Sequence, residues 1–245
     1  MSVLVGGIGN TEGLCFVAHG LGAFKEQKQV EVFSSTFEEK GFVTVRYDAR
    51  NTIGESDGEM FLASATSYKE DLEDVIKWAS IQSWYQEPFW LVGHSLGGLV
   101  ILEYALDNPE YVKAIAPFST VVSGTLTTST TDHLRIAQLW EEAGYLEQVS
   151  NSRPGAVKKI SWAYIQDLMN HNVLPRAKEL VLPVLMIVGL EDDVTPLSHQ
   201  EDLFKELSGP KEIFVLENAK HTFRSEDDFF RVKQLLGKWI DRYIS

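Results

Sequence analysis

The sequence predicts an α/β fold, a mostly parallel sheet flanked by helices, and three observations carry that reading. Short apolar runs alternate with amphipathic stretches along most of the chain. The runs are apolar on both faces, as strands buried between two helix layers must be. One long stretch breaks the alternation, so an insertion interrupts an otherwise regular pattern.

The strand candidates are residues 14–18, 42–47, 89–92, 112–117, 184–188 and 213–216. Each is short and rich in β-branched or large apolar side chains, which suits a doubly covered strand. Helical spacing falls between them at 30–40, 68–79 and 96–106, and again at 227–243. Asn108-Pro109 stops the third of these, because proline cannot continue a helical hydrogen-bond ladder. Residues 123–176 interrupt the alternation. They open with a Thr/Ser-rich loop at 125–132, and two helix-like pieces follow at 134–148 and 156–169, divided by Ser152-Arg153-Pro154-Gly155. The expectation is one domain over 1–245 with a small helical cap inserted at about 123–176. A plain long crossover on the sheet face is the competing arrangement.

With 245 residues and 44% hydrophobic content, the chain can bury a sizeable core in a single unit. Its net charge of −13 repels phosphate backbones and anionic membrane surfaces, so nucleic acid is not an expected partner. An acidic surface is also a common route to solubility. Cys15 is the only cysteine, which forbids an intrachain disulfide, and its apolar neighbours mark it as a small core residue. The first residues lack the basic and apolar regions of a secretory signal, and no apolar run reaches the ~20 residues a membrane span needs. A cytoplasmic location is expected. Nothing in the sequence sets an oligomeric state.

The chemistry concentrates in Gly93-His94-Ser95-Leu96-Gly97, a G-x-S-x-G pattern between a strand and an apolar helix. A very tight turn there would project the Ser95 hydroxyl from the sheet's carboxyl edge, with glycines letting strand and helix approach. The helix behind it would aim its positive end at a developing oxyanion. A serine hydroxyl needs a base, and six histidines compete. His221 follows the last strand candidate, on a loop at a strand's carboxyl end, where the base must lie. The acid should follow the preceding strand, which ends in Glu191-Asp192-Asp193. Asp192 is preferred there, with Asp193 and then Glu191 as alternatives. The backbone N–H of Leu96 is one oxyanion donor, and the turn Ala18-His19-Gly20-Leu21-Gly22 supplies the second through Leu21.

Taken together, these segments resemble the α/β-hydrolase superfamily from His19-Gly20 to His221, in the chain order Ser95, Asp192, His221. Within it the chain looks most like small esterases of the cinnamoyl/feruloyl type and the monoacylglycerol-lipase-like group. His19-Gly20-Leu21-Gly22, Tyr47-Asp48-Ala49-Arg50, Gly93 through Gly98 and Gly189 through Pro196 carry the likeness. The family's spacing in the last of these supports Asp192. Arg50-Asn51-Thr52-Ile53-Gly54 departs from the usual arginine-glycine pattern, and the early His19 shortens the initial hairpin, leaving six or seven strands.

The implied activity is hydrolysis of a small-molecule carboxylic ester, short-chain or aryl, through an acyl-enzyme, with no cofactor or metal required. Thioester or carbon–carbon bond hydrolysis on the same triad is the alternative. A hydrolase-like receptor with little turnover is the reading from another class. Cap residues Leu134, Ile136, Leu139, Trp140, Trp162, Tyr164 and Ile165 offer an apolar pocket, although that spacing equally describes the cap's own core.

Overall fold

The fold is described from a computed structural model covering residues 1–244. In chain order the elements are β1 (Val3–Gly6), β2 (Gly13–Ala18), α1 (Lys28–Glu38), β3 (Phe42–Tyr47), α2 (Ala65–Ala79), β4 (Phe89–His94), α3 (Leu96–Asp107) and β5 (Val112–Phe118). Then come α4 (Gly124–Thr128), α5 (Thr131–Ala143), β6 (Tyr145–Val149), β7 (Val157–Ser161) and α6 (Ala163–Leu168). The chain continues through β8 (Val184–Glu191), α7 (Leu197–Glu206), β9 (Lys211–Lys220) and α8 (Glu226–Tyr243).

Seven strands form the main sheet in the order β1-β3-β2-β4-β5-β8-β9. All neighbours are parallel except β1, which pairs antiparallel with β3, Val3 opposite Tyr47. This short edge strand is what remains of the initial hairpin. Alternation along each strand divides the core in two. In β2, Leu14, Phe16 and Ala18 pack with α2 and α3, whereas Cys15 and Val17 face the layer of α1 and α8. Cys15 is fully buried, in keeping with a packing role. Among the described residues, no helix is long and apolar enough to cross a membrane.

The 123–176 segment sits between β5 and β8 in the chain, but it is less helical than expected. The helical pieces expected at 134–148 and 156–169 each contain a strand. α5 stops at Ala143 because Gly144 turns left-handed with φ 75°, a conformation that ends a helix. The chain then forms a hairpin, β6 against β7, with Tyr145 opposite Ser161 and Val149 opposite Val157. Gly155, at φ 83°, lies in its connecting loop. Trp140 ties helix to hairpin by donating its indole N–H to the Ile160 carbonyl at 3.1 Å. Trp140, Tyr164 and Ile165 are buried in the same apolar cluster as the residues of α2 and α3, while Leu134 and Leu139 stay exposed.

Beneath the other face, Trp90 of β4 meets Phe37, Phe42 and Trp239 edge-on, with centroids 5.6, 5.5 and 5.0 Å away. It is 2% exposed and joins three elements distant in sequence. Trp90→Ala is expected to cost about 3–5 kcal/mol of stability through lost burial and an unfilled cavity. Urea unfolding of the two proteins measures it, and a loss under ~1 kcal/mol would show that this cluster is not a principal packing centre.

Candidate active site

β4 ends at His94 and α3 begins at Leu96, so Ser95 alone makes the turn between them. Its φ of 56° and ψ of −117° are strained for a residue with a side chain. Close backbone packing on both sides imposes that geometry. A Cβ on Gly93 would strike the Gly97 backbone, one on Gly97 the Ala18 carbonyl, and one on Gly98 the Thr120 side chain. Ser95 also donates its N–H to the Phe118 carbonyl at 3.0 Å, and its carbonyl accepts from the Val121 N–H at 3.1 Å. The hydroxyl is thereby fixed at the carboxyl edge of the sheet, beside the first turn of α3.

Loops from the two outer parallel strands converge on that hydroxyl. His221, just past β9, places Nε2 2.9 Å from Ser95 Oγ. Its Nδ1 lies 3.0 and 3.1 Å from the two oxygens of Asp192, in the loop after β8. An ionised carboxylate only accepts, so Nδ1 carries the proton and Nε2 presents a lone pair to the serine hydroxyl. Asp192 Oδ1 also accepts from the N–H groups of Val194 and Thr195, at 3.0 and 2.8 Å. Burial pushes the Asp192 carboxyl up. The His221 hydrogen bond and charge, with the Thr195 donors, outweigh it and hold the group below the usual carboxylate range. Glu191 and Asp193, the other two acids of this loop, are exposed.

Leu96 is the first residue of α3, where backbone N–H groups have no partner within the helix. The turn holding Leu21 closes through Ala23 N–H to the Gly20 carbonyl at 3.1 Å. That turn lies against the serine, for a Cβ on Gly20 would be 3.1 Å from Ser95 Cβ. Buried His19 braces it, donating Nδ1–H to the Gly20 carbonyl at 2.8 Å and accepting the Ala49 N–H on Nε2 at 3.0 Å. A small cavity of about 120 Å³ opens beside Ser95, with Leu21 and His221 on its wall. It shares Gln27, Gln29, Asn151, Ser152, Thr222 and Arg224 with a larger hollow of about 400 Å³. The hairpin of β6 and β7 contributes Gln148, Val149 and Lys158 to the cavity wall, while the loop around Asn51 lines neither hollow. Among the described residues, no group of three or more His, Cys, Asp or Glu side chains is placed to hold a metal ion.

Two supporting residues escaped sequence reasoning. Thr195 braces the acid, its hydroxyl 2.9 Å from both Asp192 Oδ2 and the Ser119 carbonyl, either of which can take its proton. His94 braces His221: its Nδ1 accepts from the Gln29 amide at 3.1 Å, and its Nε2–H donates to the His221 carbonyl at 2.8 Å. The signal for His94 was present, since it is the residue beside Ser95, but its partners lie 65 and 127 positions away.

Burial and the nearby His221 push His94 down to about 3. Between that value and the ordinary histidine value of about 6.5, the unfolded chain binds a proton that the folded one refuses. Stability therefore falls as pH drops through that window, by up to about 1.4 kcal/mol per pH unit from this group. His94→Asn is expected to make the decline shallower by roughly one proton. Urea titrations of both proteins at pH 7.5 and 5.5 check this, and parallel declines would contradict it.

Comparison with known proteins agrees with this architecture. Mouse palmitoyl-protein thioesterase ABHD10 is 22% identical over 235 residues, covering 96% of this chain and 77% of its own. The solved structure of mouse ABHD10 superposes with a TM-score of 0.79 at 17% identity, covering 98% of this chain and 93% of that one. Est1E from Butyrivibrio proteoclasticus, solved with ferulic acid bound, gives a TM-score of 0.82 at 18% identity, covering 99% and 95% of the two chains. A monoacylglycerol lipase from Paleococcus ferrophilus gives 0.75 at 23% identity, covering 99% and 100%. The family model described as serine aminopeptidase, S33, matches residues 9–154, more than half of the chain. This protein is a serine-hydrolase-type α/β-hydrolase and belongs to the serine aminopeptidase S33 family.

Proposed function

We propose that this protein hydrolyses small carboxylic esters through an acyl-enzyme, with Ser95 as nucleophile, His221 as base and Asp192 as its orienting acid. The observation that carries the reading is the unbroken hydrogen-bond path from Asp192 through His221 to Ser95 Oγ. Ser95 Oγ attacks the ester carbonyl as its proton passes to His221 Nε2, and Asp192 stabilises the imidazolium that forms. The backbone N–H groups of Leu96 and Leu21 take the oxyanion, each worth about 2.7–4 kcal/mol in the transition state. Collapse breaks the bond to the alcohol, which leaves with the proton from His221. Water, deprotonated by the same imidazole, then attacks the acyl-serine and releases the carboxylic acid.

The size of the Ser95 cavity supports a short acyl or single aryl group, since it is smaller than the ~300–1,000 Å³ of ordinary ligand sites. Est1E, whose printed description names bound ferulic acid, supports an aryl acid as one form of substrate. Thioester hydrolysis is the second reading, favoured by the thioesterase description of the ABHD10 relatives.

On 4-nitrophenyl esters from acetate to palmitate, wild type is expected to prefer the shorter chains. Ser95→Ala should lower turnover by about 10³-fold or more, and Asp192→Asn by about 10⁴-fold. Equal turnover in wild type and Ser95→Ala would refute the assignment. A profile rising toward palmitate, or an acyl thioester outpacing its matched oxygen ester, would move the conclusion to the second reading.

A further inference from the structure

The cavity beside Ser95 holds two cations in a molecule of net charge −13. Lys158 reaches it from β7 and Arg224 from the loop after His221. Among the described residues, neither side chain takes part in an ion pair or donates a side-chain hydrogen bond. The strand pairing shows that this is specific to one face of the hairpin. Lys159 points away from the cavity, stands opposite Glu147, and pairs with it at 3.6 Å. Lys158, one residue earlier, stands opposite neutral Gln148, which also lines the cavity. The lysine facing solvent has a carboxylate partner across the hairpin, and the lysine facing the serine has none.

Position adds to this. The Lys158 stem lies directly over Gly22 of the Leu21 turn, where an added Cβ would meet Lys158 Cδ and Cε at 2.9 and 3.0 Å. Gly22, at φ 63°, thus serves the turn and leaves the space the lysine occupies. Lys158 is half-buried, and burial with repulsion from Arg224 lowers its amine from the ordinary lysine value. The acids nearest in the adjoining hollow, Glu26 and Glu226, are not on the cavity wall, and Glu26 is held by Lys25 at 2.8 Å. Two like charges thus converge on one small polar cavity with no carboxylate on its wall, an arrangement that an anion would complement.

We propose that Lys158 and Arg224 form a subsite for an anionic oxygen group, a carboxylate or a phosphate, carried by the substrate close to its scissile carbonyl. This rests on the hydrolase reading and narrows it to esters or thioesters of an anionic acid or alcohol. The local positive potential offsets the acidic surface and selects such substrates against neutral isosteres.

The test compares 4-nitrophenyl hydrogen glutarate with 4-nitrophenyl pentanoate, which puts a methyl where the carboxylate was, and with the corresponding ω-phosphonate ester. A second series carries the charge on the leaving group, with 3-carboxy-4-nitrophenyl against 4-nitrophenyl acetate. In at least one series the anionic ester should have a kcat/KM about tenfold or more above its neutral counterpart. That ratio should collapse in Lys158→Gln, shrink in Arg224→Gln and be largely kept in Lys158→Arg. The carboxylate and phosphonate arms decide which anion fits better. Isothermal titration of Ser95→Ala with the glutarate and pentanoate esters reads the subsite without turnover, and repeating it with Lys158→Gln added should erase any preference. Turnover of every ester with no anionic preference would overturn the subsite and leave the hydrolase standing. A Lys158-dependent binding preference with no turnover of any ester would overturn the hydrolase reading and leave the subsite.

Discussion

Everything at the site depends on how tightly the Ser95 turn is wedged. A residue at φ 56° and ψ −117° would relax if its surroundings let it. They do not, because Gly93, Gly97 and Gly98 let the Gly97 backbone, the end of β2 and the Thr120 side chain close in around it. The strain is small against the burial that fixes those elements, since the apolar side chains of β4 and most of those of α3 have almost no exposed surface. Local conformation at Ser95 is therefore set by global packing. The same packing aims the hydroxyl at the sheet edge where the other loops arrive.

Given that fixed point, the remaining groups need to be brought to it and held. Parallel order does the first part: β8 and β9 lie beyond β5, so their carboxyl ends open onto the same edge as β4. Hydrogen bonds do the second. Asp192 is pinned by Thr195, Thr195 reaches the Ser119 carbonyl at the end of β5, and the His221 backbone is held by His94. Each loop is tied to its neighbour and to the elbow, which turns three separate loops into one rigid constellation. A buried, neutral His94 suits this role because a charged ring would repel positive charge on the neighbouring His221.

What the sequence revealed follows the range of the physics involved. Strand positions and the elbow were legible because burial on both faces and the steric demand for glycine act over a few residues. The order Ser95, Asp192, His221 was legible because strand order in a parallel sheet constrains where loops end. The hairpin at β6 and β7 was not, since Val149 and Val157 are exposed there and the segment lacks the two-sided apolar pattern. Its identity is set by Gly144 and Gly155 and by pairing across the loop between them. His94 and Thr195 were missed as braces because their roles arise from contacts between distant segments. Lys158 and Arg224 are 66 positions apart and read separately as ordinary surface charges.

The cations at the cavity also bear on why the insertion is built as it is. A helix in place of β7 would place side chains every 100° and could not set Lys158 and Lys159 on opposite faces. A strand does so necessarily, because its side chains alternate. One lysine is then paired with Glu147 and stacked on Tyr145, its ammonium 3.9 Å from the ring centroid, while the next is delivered over Gly22. The Trp140 link to Ile160 fixes the height of that strand above the site. The sheet edge thus gathers Ser95, Asp192 and His221, and the hairpin brings Lys158 beside them. Arg224 arrives from the loop that carries His221, so the two cations reach the cavity from separate elements.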